Sequence, residues 1–510
     1  MMYILMPELI HLVLTLIFNA LNSNFMKNKL IYLLLVFSMI TVSCEKQLKD
    51  NIYDKLVPST YFNNDVEAIA ASNSIYGALN GSGWDYYGAG NERIQMLNDA
   101  TTDEFAPISA SGYYPDLNNF NWKTTDNSAN WRWPYQGISY CNYIIEYLPK
   151  SDKVSEAMKK RVIAEAKTGL GLFYKDLVEQ FGDVPLIKKF SEGVLAIPSR
   201  TSANEVLTYA ISQLQEAIPD LPASYNSGDN GRFTKGAANA ILCKIYLDQK
   251  NWDGVISSAN AIISSGIYQL EPTYANLFIP DNQDNKEFIL TKQCMPDFNV
   301  GNSFVTYCLP PDYKLPTGVQ IQIWDNYRIR RAFFNSFDLT DARRALIIDK
   351  YPNTRGDSTR LNATADVICM KYAFDPKANI VFATNDMPLI RLADIILAKA
   401  EALNQKNGPT QEAVTLINQI RDRAFKNDAS KRKQLSDFAS KDALSSWILN
   451  ERGWELYFEG HRRMDLIRNN KFLEMATARG AIDPTTKRLL FPIPQSERDI
   501  NPNLTQNPGY

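Results

Sequence analysis

The chain has 510 residues, 45% of them apolar and 22% charged, with a formal net charge of −2. That balance excludes a global positive field of the kind that gathers nucleic acid or anionic lipid. His11 and His461 are the two histidines, too few for a His-rich metal site and a poor basis for a Ser-His-Asp triad.

The first signal in chain order lies at 26–44. Met26-Lys27-Asn28-Lys29 precedes an apolar run over 30–40, then Thr41-Val42-Ser43 and Cys44. A basic start, a greasy core, a small residue and a cysteine read as a bacterial lipoprotein signal, with Cys44 the acylated first residue of the mature protein. The alternatives are a plain secretory signal or a buried cysteine. Thr41 departs from the aliphatic residue usual in such signals. As a helix the run spans about 16 Å, about half of a bilayer's hydrocarbon thickness, so it suits a signal better than a membrane span. Residues 1–25 carry an apolar stretch over 9–18 and no Lys or Arg, and Met26 reads as the true start. Residues 1–43 are therefore set apart as the signal region, with Glu45 to Asp50 as a short leash.

Helical periodicity dominates the remainder. A helix is expected over 65–79, closed by Gly81 and Gly83, then an irregular stretch over 80–130 rich in Gly, Asn, Tyr and Trp. A second helix is expected over 133–148 and ends at Pro149. Over 155–181, Leu170, Phe173, Tyr174, Leu177, Val178 and Phe181 form one apolar helix face. Gly182 sits where a C-terminal cap belongs. Gly169 and Gly171 inside this helix each cost about 1 kcal/mol against alanine, which predicts close packing against another backbone. Further helices are expected over 202–221, 234–247, 252–264, 389–403, 410–423, 442–458 and 462–468. Antiparallel pairs of this length suggest tetratricopeptide-like packing, although the spacing is too uneven for a clean 34-residue repeat. Residues 271–385 are loop-rich and short on helical periodicity, and long ordered loops on a helical scaffold are where binding sits.

Among the cysteines beyond Cys44, Cys141 and Cys243 sit in apolar helical patterns and read as core thiols; a Cys294–Cys308 bridge is left open. Cys369 completes the set, and none has metal-ligand spacing. No metal and no cofactor is expected. Glu451, Glu455 and Glu459, with Arg462 and Asp465, lie at helix-neighbour spacings and read as salt-bridged packing between helices. His461 reads as a packing residue. The 26 Tyr, 24 Phe and 8 Trp lie in part in Gly/Asn-rich loops. A sugar ring stacks its C–H face on an aromatic ring, while its hydroxyls need amide, carboxylate or guanidinium partners. That chemistry nominates Trp84, Tyr86, Tyr87, Tyr113 and Tyr114 with Asn91, Arg93, Asp99 and Asp103 around them. Trp324, Asp325 and Tyr327 offer the same mixture in the second loop region. Trp122, Trp131 and Trp133 read as structural, leading into a helix that begins near Pro134.

Several segments resemble the SusD/RagB-like outer-membrane lipoproteins. They are Glu165-Ala166-Lys167 through Phe181-Gly182-Asp183-Val184-Pro185-Leu186; Gly231-Arg232-Phe233-Thr234-Lys235-Gly236 with Tyr246-Leu247 and Trp252; Arg391-Leu392-Ala393-Asp394 with Ile417-Asn418-Gln419-Ile420-Arg421; Glu451-Arg452 through Glu459-Gly460-His461-Arg462 and Asp465-Leu466-Ile467-Arg468; and the close Gln506-Asn507-Pro508-Gly509-Tyr510. Leu170, Gly171, Gly453 and Met464 depart from the family's usual Arg, Ala, Arg and Phe, which predicts local repacking. The resemblance implies an all-α fold with about four tetratricopeptide-like helix pairs supporting a loop-rich ligand face. It implies one SusD-like domain over 44–510, with helix pairs and binding loops over 44–270, a loop-rich insertion over 271–385 and C-terminal helices over 386–510. It also implies a lipid-anchored protein on the exterior of the outer membrane that binds an oligosaccharide or polysaccharide and caps a SusC-like TonB-dependent transporter, without catalysis and without nucleic acid. A peptide ligand is the alternative; a lipid-anchored glycosidase and a scaffold that binds only proteins stand behind it.

Overall fold

The computed structural model describes residues 62–80, 94–126, 128–193, 197–296 and 300–510. Cys44 and the leash lie outside them. The described chain is mostly helical with a few short strands. In order, the elements used below are α1 (Asp65–Asn80), α2 (Ile94–Ala100), β1 (Phe105–Pro107), α3 (Ala129–Tyr147), α4 (Glu156–Phe181), α5 (Ala203–Ala217), α6 (Lys235–Asp248) and α7 (Trp252–Ile263). They continue with β2 (Phe288–Lys292), β3 (Tyr327–Ile329), β4 (Met387–Arg391), α8 (Leu392–Asn407), α9 (Gln411–Ala424), α10 (Lys441–Leu456), α11 (Arg462–Arg468) and α12 (Phe472–Ala478).

The long helices begin where the sequence supplies a cap. Side-chain oxygens of Ser155, Ser202, Thr234, Asn251, Thr410 and Ser440 each accept a backbone N–H from the first turn, satisfying a donor that the helix leaves free. Consecutive helices pack on one another: α1 on α3, α3 on α4, α4 on α5, α6 on α7, α7 on α8, and α8 on both α9 and α10. Glycines let α4 approach its neighbours. A Cβ on Gly169 would stand 2.7 Å from Cys141 Sγ and 2.9 Å from Ile75 Cγ2, and one on Gly171 would stand 2.5 Å from Leu214 Cγ. The expected backbone approach is thus corrected: the glycines make room for side chains of α1, α3 and α5. At Gly453, the guanidinium of Arg462 fills the space a side chain would need.

Several segments differ from the periodicity reading; residues 389–391, expected to open a helix, end strand β4, and the helix starts at Leu392. Residues 94–100, expected to be irregular, form α2, and every one of them is buried. Its polar residues carry no apolar stripe because they bond instead: Gln95 Nε2 donates to the Phe458 carbonyl at 2.9 Å, and Asn98 Nδ2 to that of Gly460 at 3.1 Å. Helix α3 starts at Ala129, ahead of Pro134, because buried Trp131 packs edge-on against Phe181 at 5.2 Å and anchors an extra turn. Cys294 and Cys308 are buried free thiols, as are Cys141, Cys243 and Cys369, so the bridge left open is absent.

The molecule's middle is ionic. Arg391, fully buried, donates to Glu459 and Glu287 at 2.7 Å and also reaches Glu455. Arg423 joins Glu287 to Glu455, and Arg343 bonds Glu451 at 2.8 Å and Glu455 at 3.0 Å. Arg421 holds Glu451 at 3.0 Å, and Lys371 holds Glu459 at 2.6 Å. A second group has Arg452 between Asp394 at 2.7 Å and Asp465 at 2.8 Å, and Arg468 between Asp465 and Glu401. The expected packing role of Glu451, Glu455 and Glu459 matches this arrangement. The Arg462–Asp465 pairing does not form, since Arg462 makes two 2.8 Å bonds to Asp103 instead. Burial pushes the imidazole of His461 down to about 3, helped by the nearby Lys244 ammonium, so it is neutral.

Replacing Arg391 by Met leaves Glu287, Glu455 and Glu459 short of a cation in the interior. A loss of about 3–5 kcal/mol is expected, read from the urea unfolding midpoint; a change below about 1 kcal/mol would contradict the network's assigned role. Burial opposes ionisation of Glu455, but Arg423, Arg391 and Arg343 outweigh it and hold its carboxyl down to about 2. The unfolded value is about 4.3, so this group's contribution is full above that pH and is lost as pH falls through about 2. Acid titration followed by circular dichroism should therefore show the wild type resisting down to lower pH than Glu455→Gln.

Candidate ligand-binding face

Strands β1 and β3 pair antiparallel, with Phe105 opposite Ile329, Ala106 opposite Arg328 and Pro107 opposite Tyr327. The ladder extends outward through the Ile108 N–H, which donates to the Asn326 carbonyl at 3.0 Å. This short pairing joins two loop regions more than two hundred residues apart in sequence. It places the Tyr113–Asn118 helical turn, which follows Gly112 (φ 113°), beside the segment 304–329.

The result is a continuous aromatic cluster. Tyr113 and Tyr114 meet edge-on at 5.6 Å, and Tyr114 meets Tyr327 at 5.4 Å. Tyr327 stacks on Tyr307 at 5.7 Å with 10° between the planes, and Tyr307 meets Trp324 edge-on at 4.8 Å. Exposure is graded along the series. Tyr327 is 0% exposed, Tyr114 4% and Tyr307 6%, whereas Tyr113 and Trp324 are half-buried. The inner rings thus hold the outer two, and Tyr113 and Trp324 are the rings that keep part of their surface exposed. Backbone bonds fix the segment: Trp324 N–H donates to the Thr306 carbonyl at 2.9 Å, and Asn326 N–H to that of Tyr307 at 2.8 Å. Asp325, between them, takes a left-handed conformation (φ 51°) and pairs with Arg328. Burial raises its carboxyl above the usual range despite that arginine.

The other nominated polar residues are engaged elsewhere. Asp99 is buried beneath the turn at Gly460, accepting its N–H at 3.0 Å, and burial together with Glu104 raises its carboxyl well above the ordinary range. Glu104, whose carboxyl burial pushes up to about 8, accepts the Phe458 N–H at 3.0 Å. Burial opposes ionisation of Asp103, but the Arg462 guanidinium outweighs it and holds the carboxyl below its usual value. Neither Asp99 nor Asp103 stands free as a rim carboxylate. Trp84, Tyr86, Tyr87, Asn91 and Arg93 lie outside the described residues. Sequence reasoning missed Tyr307, because it sits in the apolar run Phe304-Val305-Thr306-Tyr307-Cys308 without the Gly/Asn context that marks a binding loop; the nearest signal was its aromatic character alone.

Two sequence profiles match the chain. One is described as "Starch-binding associating with outer membrane" and covers residues 50–247; the other is described as "SusD family" and covers residues 350–510. SusD-like protein P25 of Formosa agariphila is 27% identical, over 95% of this chain and 99% of its own length. The starch-binding protein SusD of Bacteroides thetaiotaomicron is 23% identical, over 78% of this chain and 81% of its own. Among solved structures, a laminarin-binding SusD-like protein superposes with a TM-score of 0.74 at 24% identity, covering 88% of this chain and 100% of that one. With one profile on each half of the chain, relatives aligned along most of their length and the fold shared, the chain belongs to the SusD/RagB family.

Proposed function

We propose that this protein is a glycan-binding lipoprotein of the outer membrane that captures oligosaccharide at the cell surface and passes it to a SusC-like TonB-dependent transporter. The observation that carries the reading is the β1–β3 pairing, which gathers Tyr113, Tyr114, Trp324 and Tyr327 into one cluster in which Trp324 is partly exposed. Rings held rigidly by buried neighbours suit stacking on the C–H face of a sugar, because little side-chain freedom is lost on binding. Relatives named for starch and laminarin binding support the same ligand class, and a profile named for outer-membrane association supports the location. In this reading residues 44–510 act as one domain, the helix pairs form a tetratricopeptide-like scaffold beneath a loop-rich ligand face, and Cys44 carries the lipid. Binding is favoured over catalysis by the state of the motif carboxylates, since Glu451, Glu455 and Glu459 are buried and each is held by cations.

Two outcomes are expected. Trp324→Ala should weaken binding of the mature protein to laminarin or starch oligosaccharides at least tenfold, about 1.4 kcal/mol, by isothermal titration. Unchanged affinity with an intact fold would sink the aromatic-face reading, and binding of peptides but no glycan would favour the peptide alternative. Cys44→Ala should leave soluble-phase affinity intact but remove the protein from the outer-membrane fraction; a variant that remains at the surface as before would defeat the anchor.

A further inference from the structure

A second concavity lies apart from the aromatic face, with no residue in common. It has a volume of about 440 Å³ and is bounded by the α6–α7 turn, α8, α10 and the end of α11, within the range of about 300–1,000 Å³ typical of small-molecule sites. One wall is Trp252, half-buried at the first turn of α7. Its position is fixed by the preceding Asn251, whose Oδ1 accepts the Gly254 N–H at 3.1 Å. Among the described residues the Trp252 indole has no ring, cation or hydrogen-bond partner.

The charge within the cavity is neutralised. Arg468 clasps Glu401 at 2.6 and 2.9 Å, and Lys471 is paired with Glu474 at 2.6 Å. Among the described lining residues, Lys250 and Asp442 remain as one cation and one anion without a partner. Such a cavity has no excess of either sign to select an ion. What it offers is hydrogen-bonding variety. Gln405 commits its N–H to Ser445 at 2.8 Å and Asn469 its N–H to the Asp465 carbonyl at 2.9 Å. That leaves Gln405 Oε1 and Asn469 Oδ1 as acceptors, beside the unengaged Asn470 amide. A flat apolar ring beside neutral acceptors and donors is the pattern that a hydroxylated ring requires.

The backbone adds an independent observation. Both helix ends that enter the cavity close with a left-handed residue, Lys250 at φ 57° and Asn470 at φ 58°. The N–H after each bonds back into its helix, Asn251 to Tyr246 and Lys471 to Leu466, both at 2.8 Å. That position favours glycine, and the chain uses it after α4 and α8, at Gly182 (φ 73°) and Gly408 (φ 76°). Around this cavity, as at Lys426 (φ 53°) and Asn427 (φ 63°) after α9, the chain keeps side chains that the backbone does not need.

We propose that this cavity is a second carbohydrate subsite, taking a neutral run of sugar rings with one ring stacked on Trp252 and its hydroxyls bonded by Lys250, Gln405, Asn469 and Asn470. It would let one protein hold two points of a polysaccharide, raising avidity without a new contact at either site. The ligand class, though not the site, rests on the glycan reading above.

The test uses the mature full chain and immobilised laminarin, starch and xylan, read by affinity electrophoresis. Wild type is compared with Trp324→Ala, with Trp252→Ala, with the pair Lys250→Gly and Asn470→Gly, and with that pair combined with Trp324→Ala. The glycine pair suits the backbone and should leave the melting temperature unchanged or raised, which separates lost binding from lost folding. Expected are at least a threefold loss of retardation for either cavity variant, residual binding in Trp324→Ala, and none in the combination. Cavity variants that bind all three polysaccharides like wild type, or a Trp324→Ala variant with no residual binding, would overturn the second subsite alone. A wild type that binds none of the three would overturn both readings. Binding that survives Trp324→Ala undiminished but disappears in the glycine pair would support the cavity and overturn the aromatic face.

Discussion

The fold depends on a buried set of charges that must close on itself. Arg343, Arg391, Arg421, Arg423 and Lys371 face Asp341, Glu287, Glu451, Glu455 and Glu459, five cations against five carboxylates. Most are fully buried. Removing such groups from water is costly, and their mutual attraction offsets that cost only when every charge has its partner in good geometry. The members come from the residue just before β2, from β4, from the segment 341–371, and from α9, α10 and the turn after it. Segments distant in sequence therefore have to converge together, because a partial set would leave a charge stranded. An apolar core of equal volume could tolerate sliding; this one fixes register.

That register reaches the aromatic cluster through a few residues. Glu459 is held by Arg391 and Lys371, and the preceding Phe458 adopts φ 54°, an unusual backbone for an aromatic residue. The turn directs Phe458 into the cluster, 5.9 Å from Tyr327 and 5.7 Å from Phe304. Its N–H is taken by Glu104, one residue before β1, and the N–H of Gly460 is taken by Asp99 at the end of α2. The strand that pairs with Tyr327 is thus bolted to the same turn that completes the ionic core. Tyr113 and Trp324 owe their placement to charges they never touch.

This coupling explains which parts of the molecule were legible in sequence. Helices α4, α5, α7 and α9 carry caps and apolar stripes, so local rules located them. Helix α2 could not be read this way, because its Gln95, Asn98 and Asp99 face partners in the segment 458–460, and a buried polar helix has no stripe. The carboxylates of α10 were readable as structural from their spacing, but their partners Arg343, Arg391 and Arg423 were not, since nothing local points from one to the other. Asp99 and Asp103 looked like rim carboxylates because their neighbours in sequence are loop residues; their neighbours in space are Gly460 and Arg462. The aromatic loops were nominated as two groups, and the three-residue β1–β3 ladder that unites them is too short to leave a strand pattern.

The same geometry argues for binding over glycoside cleavage. A glycosidase needs an acid with a raised carboxyl and a second carboxylate facing it across an open cleft. Raised carboxyls are present here, among them Asp99, Glu104, Asp248, Asp386 and, in the aromatic cluster itself, Asp325, and burial is the largest cause in each. Asp99 and Glu104 each accept a backbone N–H from the 458–460 turn, Asp386 accepts that of Cys294, Asp325 pairs with Arg328 and Asp248 with Arg468, so each is engaged within the protein. Glu455 and Glu459 face the opposite way in energy: burial opposes their ionisation, yet the cations around them hold both below the ordinary range. Such groups are poor proton donors and are shielded from solvent. These buried carboxyls build the platform on which the aromatic cluster stands.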